Sequence, residues 1–184
     1  MQTLIKPLLP LIVFSKNVKN KKKTHNVMTR EGRFMQEAIL LSKHGMDNNE
    51  GGPFGCIIVK GEVIIGRGNN KVISNNDPTA HAEVIAIRDA CKTLGTFQLD
   101  DCEIYTSCEP CPMCLGAIYW ARPKIIYYAN TREDAASIGF DDNLIYKEMK
   151  TSIKDRKIPM LLISNKEANL IFKAWIKKTD KNIY

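Results

Sequence analysis

One histidine, one glutamate and two cysteines stand out in this 184-residue chain for the chemistry they allow together. His81-Ala82-Glu83 is followed, after a spacer, by Pro110-Cys111-Pro112-Met113-Cys114. An imidazole and two thiolates are three ligands of the kind a catalytic zinc takes, leaving a fourth tetrahedral position for water. Glu83 lies beside them and is free to move protons. The combination suits metal-assisted hydrolysis. Plainer readings compete with it. A lone Cys-x-x-Cys is also a redox motif or a chance spacing, a lone His is usually a satisfied structural residue, and His-Cys-Cys is three quarters of a structural zinc cluster. A closed cluster needs a fourth ligand. Cys56, Cys91, Cys102, Cys108, His25 and His44 are the candidates, and all lie outside the motif spacing. Cys108, which abuts the motif, reads as a buried turn residue.

Two helix starts must present these ligands. Asp77-Pro78-Thr79 predicts a helix entry with Thr79 as the cap, and Glu83 to Cys91 predicts a mostly buried helix. Residues two apart do not share a helix face, so His81 and Glu83 meet one metal only if it sits off the helix's N-terminal end. Cys111 and Cys114, three apart, do share a face. Pro112 fits the first turn of that second helix, where its missing N–H costs nothing. The helix dipole favours thiolates at such a start.

The flanking sequence predicts the scaffold. Phe34, Ala38 and Leu41, with Ile39, have helical spacing that ends at His44-Gly45 with a C-cap glycine. Gly51-Gly52-Pro53 is a turn. Phe54 to Lys60 and Val63 to Gly68 predict two strands joined as a hairpin at Lys60-Gly61. Thr93-Leu94-Gly95 ends the first ligand-bearing helix. Glu103 to Thr106 is a strand that delivers the chain to the cysteines, Met113 to Ala121 is the second ligand-bearing helix, and Lys124 to Tyr128 is another strand. Strand-helix-strand here implies a parallel pair with a right-handed crossover. Ile158 to Ile163 predicts a fifth strand, and Ala168 to Lys177 a terminal helix with Leu170, Ile171, Ala174 and Trp175 inward. The sum is one α/β sandwich: a mixed sheet of about five strands with helices on both faces.

Composition agrees with a soluble globular domain, at 44% apolar and 26% charged residues. Six cysteines, two of them assigned to metal, do not make a secreted disulfide framework, so a reducing cytoplasm is the expected compartment. Six of the seven net positive charges are accounted for by lysines at positions 6, 16, 19, 21, 22 and 23, a stretch without acids. The rest of the chain is therefore close to neutral, which argues against nucleic acid as a partner. Residues 1–27 read as an N-terminal extension to a domain spanning 28–184. Their apolar run, Leu8 to Phe14, is too short for a bilayer and is broken by Pro10, and the basic run follows it rather than preceding it as in a secretory signal. A disordered tail, a targeting segment, and sequence upstream of a true start at Met28 are the readings, with the first and last preferred.

His81-Ala82-Glu83 with Pro110-Cys111-Pro112-Met113-Cys114 matches the H-x-E…P-C-x-x-C signature of zinc-dependent nucleobase deaminases, in which the glutamate is acid and base rather than ligand. The chain from about residue 50 resembles the bacterial-type guanine deaminases of the cytidine deaminase superfamily. The likeness rests on Gly51-Gly52-Pro53-Phe54-Gly55, Asn75 to Glu83, Tyr105 to Cys114, Gly116 to Pro123, Gly139-Phe140-Asp141-Asp142 and the terminal tyrosine. It implies a three-layer α/β/α fold, one zinc per chain, hydrolysis of guanine to xanthine and ammonia, and a homodimer that swaps its C-terminal segment. It also implies that Asn70 hydrogen-bonds the base and that Phe54 and Trp120 wall the ring. Asp142 would contact the ring or its leaving amine, backbone N–H groups near Ala82 and Cys111 would hold substrate or developing charge, and Tyr184 would reach the neighbouring site. Glu83 would carry a water proton to a ring nitrogen as hydroxide adds at C2. Each residue also has a plain structural role: core packing for Phe54 and Trp120, turn shaping for Asn70, helix capping for Asp142, a frayed terminus for Tyr184. The rival activities are guanosine deamination, with amino-triazines as side substrates, and tRNA adenosine deamination. The last needs a basic groove, which the near-neutral body does not suggest.

Overall fold

A computed structural model describes residues 28–183. The predicted N-terminal extension, residues 1–27, and Tyr184 lie outside the described residues. The elements are α1 (Arg30–Asp47), β1 (Gly55–Lys60), β2 (Val63–Asn69), α2 (Val72–Asn75), α3 (Ala82–Leu94), β3 (Cys102–Cys108), α4 (Pro112–Ala121), β4 (Ile125–Asn130), α5 (Arg132–Ser137), α6 (Asn143–Lys150) and α7 (Lys166–Lys177), with a 3-10 turn at Ile153–Asp155 between the last two. None of these helices is long and apolar enough to cross a membrane.

The sheet runs β2-β1-β3-β4. β1 is antiparallel to both β2 and β3, and β3 is parallel to β4 across the α4 crossover. β1 is central, and its Gly55 to Val59 are all buried, as a strand covered on both faces requires. Period-two alternation divides its side chains between two cores. Ile57, Val59 and Tyr105 pack on Phe34 and Ala38 of α1. Cys56, Ile58, Cys102 and Ile104 pack on Ala82, Ala86 and Ala90 of α3 and on Ile118 and Ala121 of α4. The sheet is thus the middle of three layers, as the resemblance implies.

α3 lies unusually close to the sheet because small residues face each other. A Cβ on Gly66 of β2 would fall 2.5 Å from the Ala86 carbonyl oxygen and 2.7 Å from the Ala90 Cβ. Extra volume in that seam would cost roughly 1–3 kcal/mol. The close fit fixes the start of α3, and with it His81 and Glu83. On the other face α1 is tied down by Arg30, which donates to Glu103 Oε2 at 2.7 Å, to Tyr105 Oη at 3.2 Å, to Glu62 and to the Gly61 carbonyl.

Several boundaries differ from the sequence expectation. α1 runs through Gly45 to Asp47 and is capped by Asn48. Gly45 is a packing glycine: a Cβ there would collide with the Asn69 side chain. Ile39 is exposed. The N-cap of α3 is His81 rather than Thr79, whose N–H and hydroxyl both donate to Asp77 Oδ1. The sheet has four strands rather than five. Ile158 to Ile163 forms no strand, and Met160, Leu161, Leu162 and Ile163 are exposed. α7 forms as expected, with Asn165 capping Glu167 and Ala168, but Leu170, Ile171 and Trp175 face outward rather than inward. An apolar run signals that something must cover it, and the sequence pattern is silent on which chain does so.

Candidate active site

Both metal-ligating helix starts are built as their spacing requires. His81 and Cys111 are the N-cap residues of α3 and α4, each with extended backbone and no capping hydrogen bond from its side chain. Their donor atoms are therefore left for another partner. Pro112 occupies the first turn of α4, and Cys114 follows on the same face. His81 Nδ1 lies 3.6 Å from Cys111 Sγ and 3.5 Å from Cys114 Sγ. The three ligand atoms fall within 4.8 Å of one another, the one such His/Cys/Asp/Glu group among the described residues.

These distances fit zinc. Tetrahedral bonds of about 2.3 Å to sulfur and about 2.0–2.1 Å to nitrogen place an N···S edge at about 3.6 Å. The three groups are also coupled electrostatically. A hydrogen bond from Cys114, then one from His81, holds the Cys111 thiol down to about 4, while the same pairing and burial push Cys114 up. The hydrogen bond to Cys111 raises His81 against the effect of its burial. Zinc binding takes both cysteines as thiolates and so releases their protons. Cys108 is no fourth ligand. It ends β3 instead of sitting in a turn, and its thiol donates to the Thr131 carbonyl at 3.4 Å.

Glu83, in the first turn of α3, is buried, and desolvation raises its carboxyl above the usual range. Thr106 donates to its Oε1 at 3.1 Å, and its Oε2 lies 3.3 Å from Cys114 Sγ. The carboxylate is thereby fixed beside the ligand cluster without belonging to it. Thr106 was not singled out by sequence reasoning. The available signal was its place in β3: it shares the parity of Cys102 and Ile104, the face on which α3 sits.

His81, Glu83 and Cys111 line one end of a cavity of about 530 Å³, a volume usual for a small-molecule site. Gly51, Phe54, Asn70, Phe140, Asp142 and Arg132 are among the other residues that line it. The Phe54 and Phe140 rings meet edge to face at 4.9 Å, so Phe140 joins the expected aromatic wall. Its membership in Gly139-Phe140-Asp141-Asp142 was the signal. Asn70 is buried, and its Oδ1 accepts from the N–H groups of Gly52 at 3.3 Å and Val72 at 3.2 Å, which leaves its amide nitrogen as the group to offer. Asp142 is the N-cap of α6 without making a side-chain cap, and burial raises its carboxyl while Arg132 opposes the rise.

One expected residue stands away from this cavity. Trp120 is exposed on the outer side of α4 and lines no part of this cavity. Cys114, Ile118 and Ala121 take the buried face at helical spacing, and position 120 points away from them. The Ala82 side chain is buried in the α3 core seam at the helix start, which leaves the expectation resting on its backbone N–H alone.

The comparisons with known proteins agree with this geometry. A family model described as the cytidine and deoxycytidylate deaminase zinc-binding region matches residues 28–130. A guanine deaminase of Bacillus subtilis (strain 168) is 54% identical over 151 residues, 82% of this chain and 97% of that protein. An X-ray structure of guanine deaminase from Bacillus subtilis superposes with a TM-score of 0.81 at 53% identity, covering 83% of this chain and 97% of that one. A tRNA-specific adenosine deaminase of Aquifex aeolicus (strain VF5) is 33% identical over 82% of this chain and 96% of its own length. The chain belongs to the cytidine and deoxycytidylate deaminase family, with His81, Cys111 and Cys114 forming its zinc site.

Proposed function

We propose that this protein hydrolyses guanine to xanthine and ammonia. The observation that carries the reading is a buried, unligated carboxylate, Glu83, held beside a His-Cys-Cys cluster at the end of an aromatic-walled cavity. The substrate follows from the much greater identity to a guanine deaminase than to a tRNA-specific adenosine deaminase.

His81, Cys111 and Cys114 would hold zinc, which would supply the Lewis acidity that lowers the pKa of water toward about 7. Phe54 and Phe140 hold the purine ring, and the Asn70 amide fixes its rotation in the plane by a hydrogen bond. Glu83 accepts a proton from the water that attacks C2 and passes it to the adjacent ring nitrogen. C2 becomes tetrahedral, bearing both the new oxygen and the amino group. Asp142, which lines the same cavity, meets that amino group. Glu83 then takes the proton of the new C2 hydroxyl and passes it to the amine, which leaves as ammonia as the C2–N bond breaks and the C2 carbonyl of xanthine forms. A positioned proton shuttle of this kind contributes on the order of 10²–10⁴ in rate.

The proposal extends to assembly. Every residue from 157 to 180 is exposed, including Leu161, Leu162, Ile163, Phe172 and Trp175. An apolar arm of this size implies a covering partner. A homodimer in which each C-terminal segment closes the other copy's cavity supplies one, and would bring Tyr184 to the neighbouring site. The catalytic domain then runs from 28 to 184. Thiolate ligands and buried thiols suit a reducing cytoplasm.

Ammonia release from guanine, guanosine, adenine, cytosine and deoxycytidylate tests the substrate. Guanine should react fastest. Faster release from guanosine would overturn the substrate while leaving the chemistry, and release from none of the five would overturn the activity.

A further inference from the structure

We propose that Arg132 is a positioning residue for the reaction, which holds Asp142 over the cavity by clamping the first turn of α6 to the end of the strand that leads into the metal ligands. The proposal rests on the reading of Asp142 as the group that meets the leaving amine. Arg132 opens α5, immediately after β4. Its backbone N–H donates to Glu109 Oε2 at 3.2 Å, and Glu109 lies between β3 and Cys111. The Glu109 N–H in turn donates to the Asn130 carbonyl at 2.8 Å. The base of Arg132 is thus fixed to the strand end that delivers the cysteines.

Its side chain, which also lines the cavity, reaches α6. Nη2 donates to Asn143 Oδ1 at 2.5 Å, and the guanidinium carbon lies 4.4 Å from the centre of the Tyr146 ring. Asn143 and Tyr146 are the first and fourth residues of α6, so one guanidinium grips a full turn directly after Asp142. Asp142 itself caps that turn: its carbonyl accepts from the Ile145 N–H at 2.9 Å and the Tyr146 N–H at 3.3 Å. The Asp142 side chain makes no cap bond. Its place above the cavity is therefore set by where α6 is held, and Arg132 grips the first turn of that helix. The cation also faces Asp142 closely enough to oppose the effect of burial on that carboxyl. The planar guanidinium suits both the hydrogen bond and the ring stacking, and a lysine reproduces neither geometry.

A double-mutant cycle between Arg132 and Asp142 tests this, read as steady-state kinetics with guanine, bound zinc and melting temperature. Arg132→Met should lower kcat on the order of 10-fold to 100-fold, the cost of misplacing a reacting group by about 1 Å. KM should change less than about threefold, and zinc content should stay at that of the wild type. Arg132→Lys should recover little. In the Asp142→Asn background the same substitution should cost less than about threefold, since its target is already gone. Asn143→Ala, which touches neither cavity nor metal, should reproduce a smaller fall in kcat with the same dependence on Asp142, and it carries the test if Arg132→Met does not fold. Equal losses in both backgrounds, a loss carried by KM, or full activity of Arg132→Met would overturn the proposal. A wild-type enzyme inactive on guanine, or Asp142→Asn with unchanged kcat, would instead overturn the reading beneath it.

Discussion

The sharpest test of the cavity is a single methyl group. A Cβ on Gly51 would lie inside van der Waals distance of Asn70 Oδ1, 2.9 Å from Asn70 Cγ and 2.7 Å from the Asn70 carbonyl oxygen, where real Cβ atoms essentially never approach within 3.0 Å. Gly51→Ala therefore forces the Asn70 carboxamide to retreat by about 1 Å, a displacement that costs on the order of 100-fold when the group orients substrate. Losing one neutral hydrogen bond to the base alone would cost roughly 0.5–1.5 kcal/mol, about 2- to 13-fold. The variant should thus lose about 10- to 100-fold in kcat/KM for guanine. The shift also strains the two backbone bonds that Gly52 and Val72 donate to Oδ1. At roughly 1–3 kcal/mol together, these should lower the melting temperature by several degrees in a domain of this size. The metal ligands do not touch Gly51, so zinc should remain at one per chain by atomic absorption. Steady-state kinetics beside Asn70→Ala, with metal analysis, gives the answer. A folded, zinc-loaded Gly51→Ala with wild-type kcat/KM would refute the role of Asn70 and the steric reason for a glycine at that position.

Glu83→Gln keeps the bulk beside Thr106 but removes the proton acceptor, so it should retain zinc while losing on the order of 10²–10⁴ in turnover; near-wild-type rates would reassign the proton shuttle. His81→Ala, Cys111→Ser and Cys114→Ser should lose both metal and activity, and full zinc occupancy in any of them would discredit the ligand set. Arg30, aided by the Tyr105 hydroxyl, holds the Glu103 carboxyl below its usual 4.5. The unfolded chain therefore binds that proton more tightly than the folded one. The stability contributed is complete above about pH 5 and is lost as pH falls through the depressed folded value. Glu103→Gln should cost about 2–4 °C in melting temperature at pH 7, and the gap to wild type should close on acidification to pH 3; a gap independent of pH would show that the pairing is not the source. Leu162→Lys combined with Phe172→Lys should convert a dimer to monomer in sedimentation and impair turnover, whereas a fully active wild-type monomer would remove the shared cavity.

What the sequence displayed well was whatever is encoded within one or two turns of chain. The His-x-Glu and Cys-x-x-Cys spacings, Pro112 and the polar approach to His81 place the metal site because a helix start is a local object, and the two starts were recovered as facing N-caps. The hairpin and the parallel β3–β4 pair followed from equally local signals. Misreadings arose where one signal serves two physical purposes. Gly45 has the look of a helix terminator, yet it is a gap for Asn69 inside α1. Trp120 lies in a nearly all-apolar stretch, where amphipathic periodicity gives no bearing, so a pocket wall and an outer face were indistinguishable until Cys114 and Ile118 fixed the rotation of α4.

Arg132 shows the deeper reason that much of a site stays hidden from its sequence. Its partners lie 23 positions back at Glu109 and 11 and 14 positions on at Asn143 and Tyr146, in different elements, so no periodicity within one helix or strand relates them. Only the closure of β4 beside β3 brings Glu109 to the start of α5, and only the turn at Gly139 returns α6 across it. Ligand spacing is legible because metal binding demands two donors from one short segment. Positioning is illegible because its purpose is to join segments that share nothing else. A chain with the same His-Cys-Cys cluster and no cation at this crossing would keep the metal and the attacking water, yet leave Asp142 on a helix free to drift. The fall in kcat on removing Arg132, present with Asp142 and absent without it, measures how much of the catalysis resides in that long-range joint.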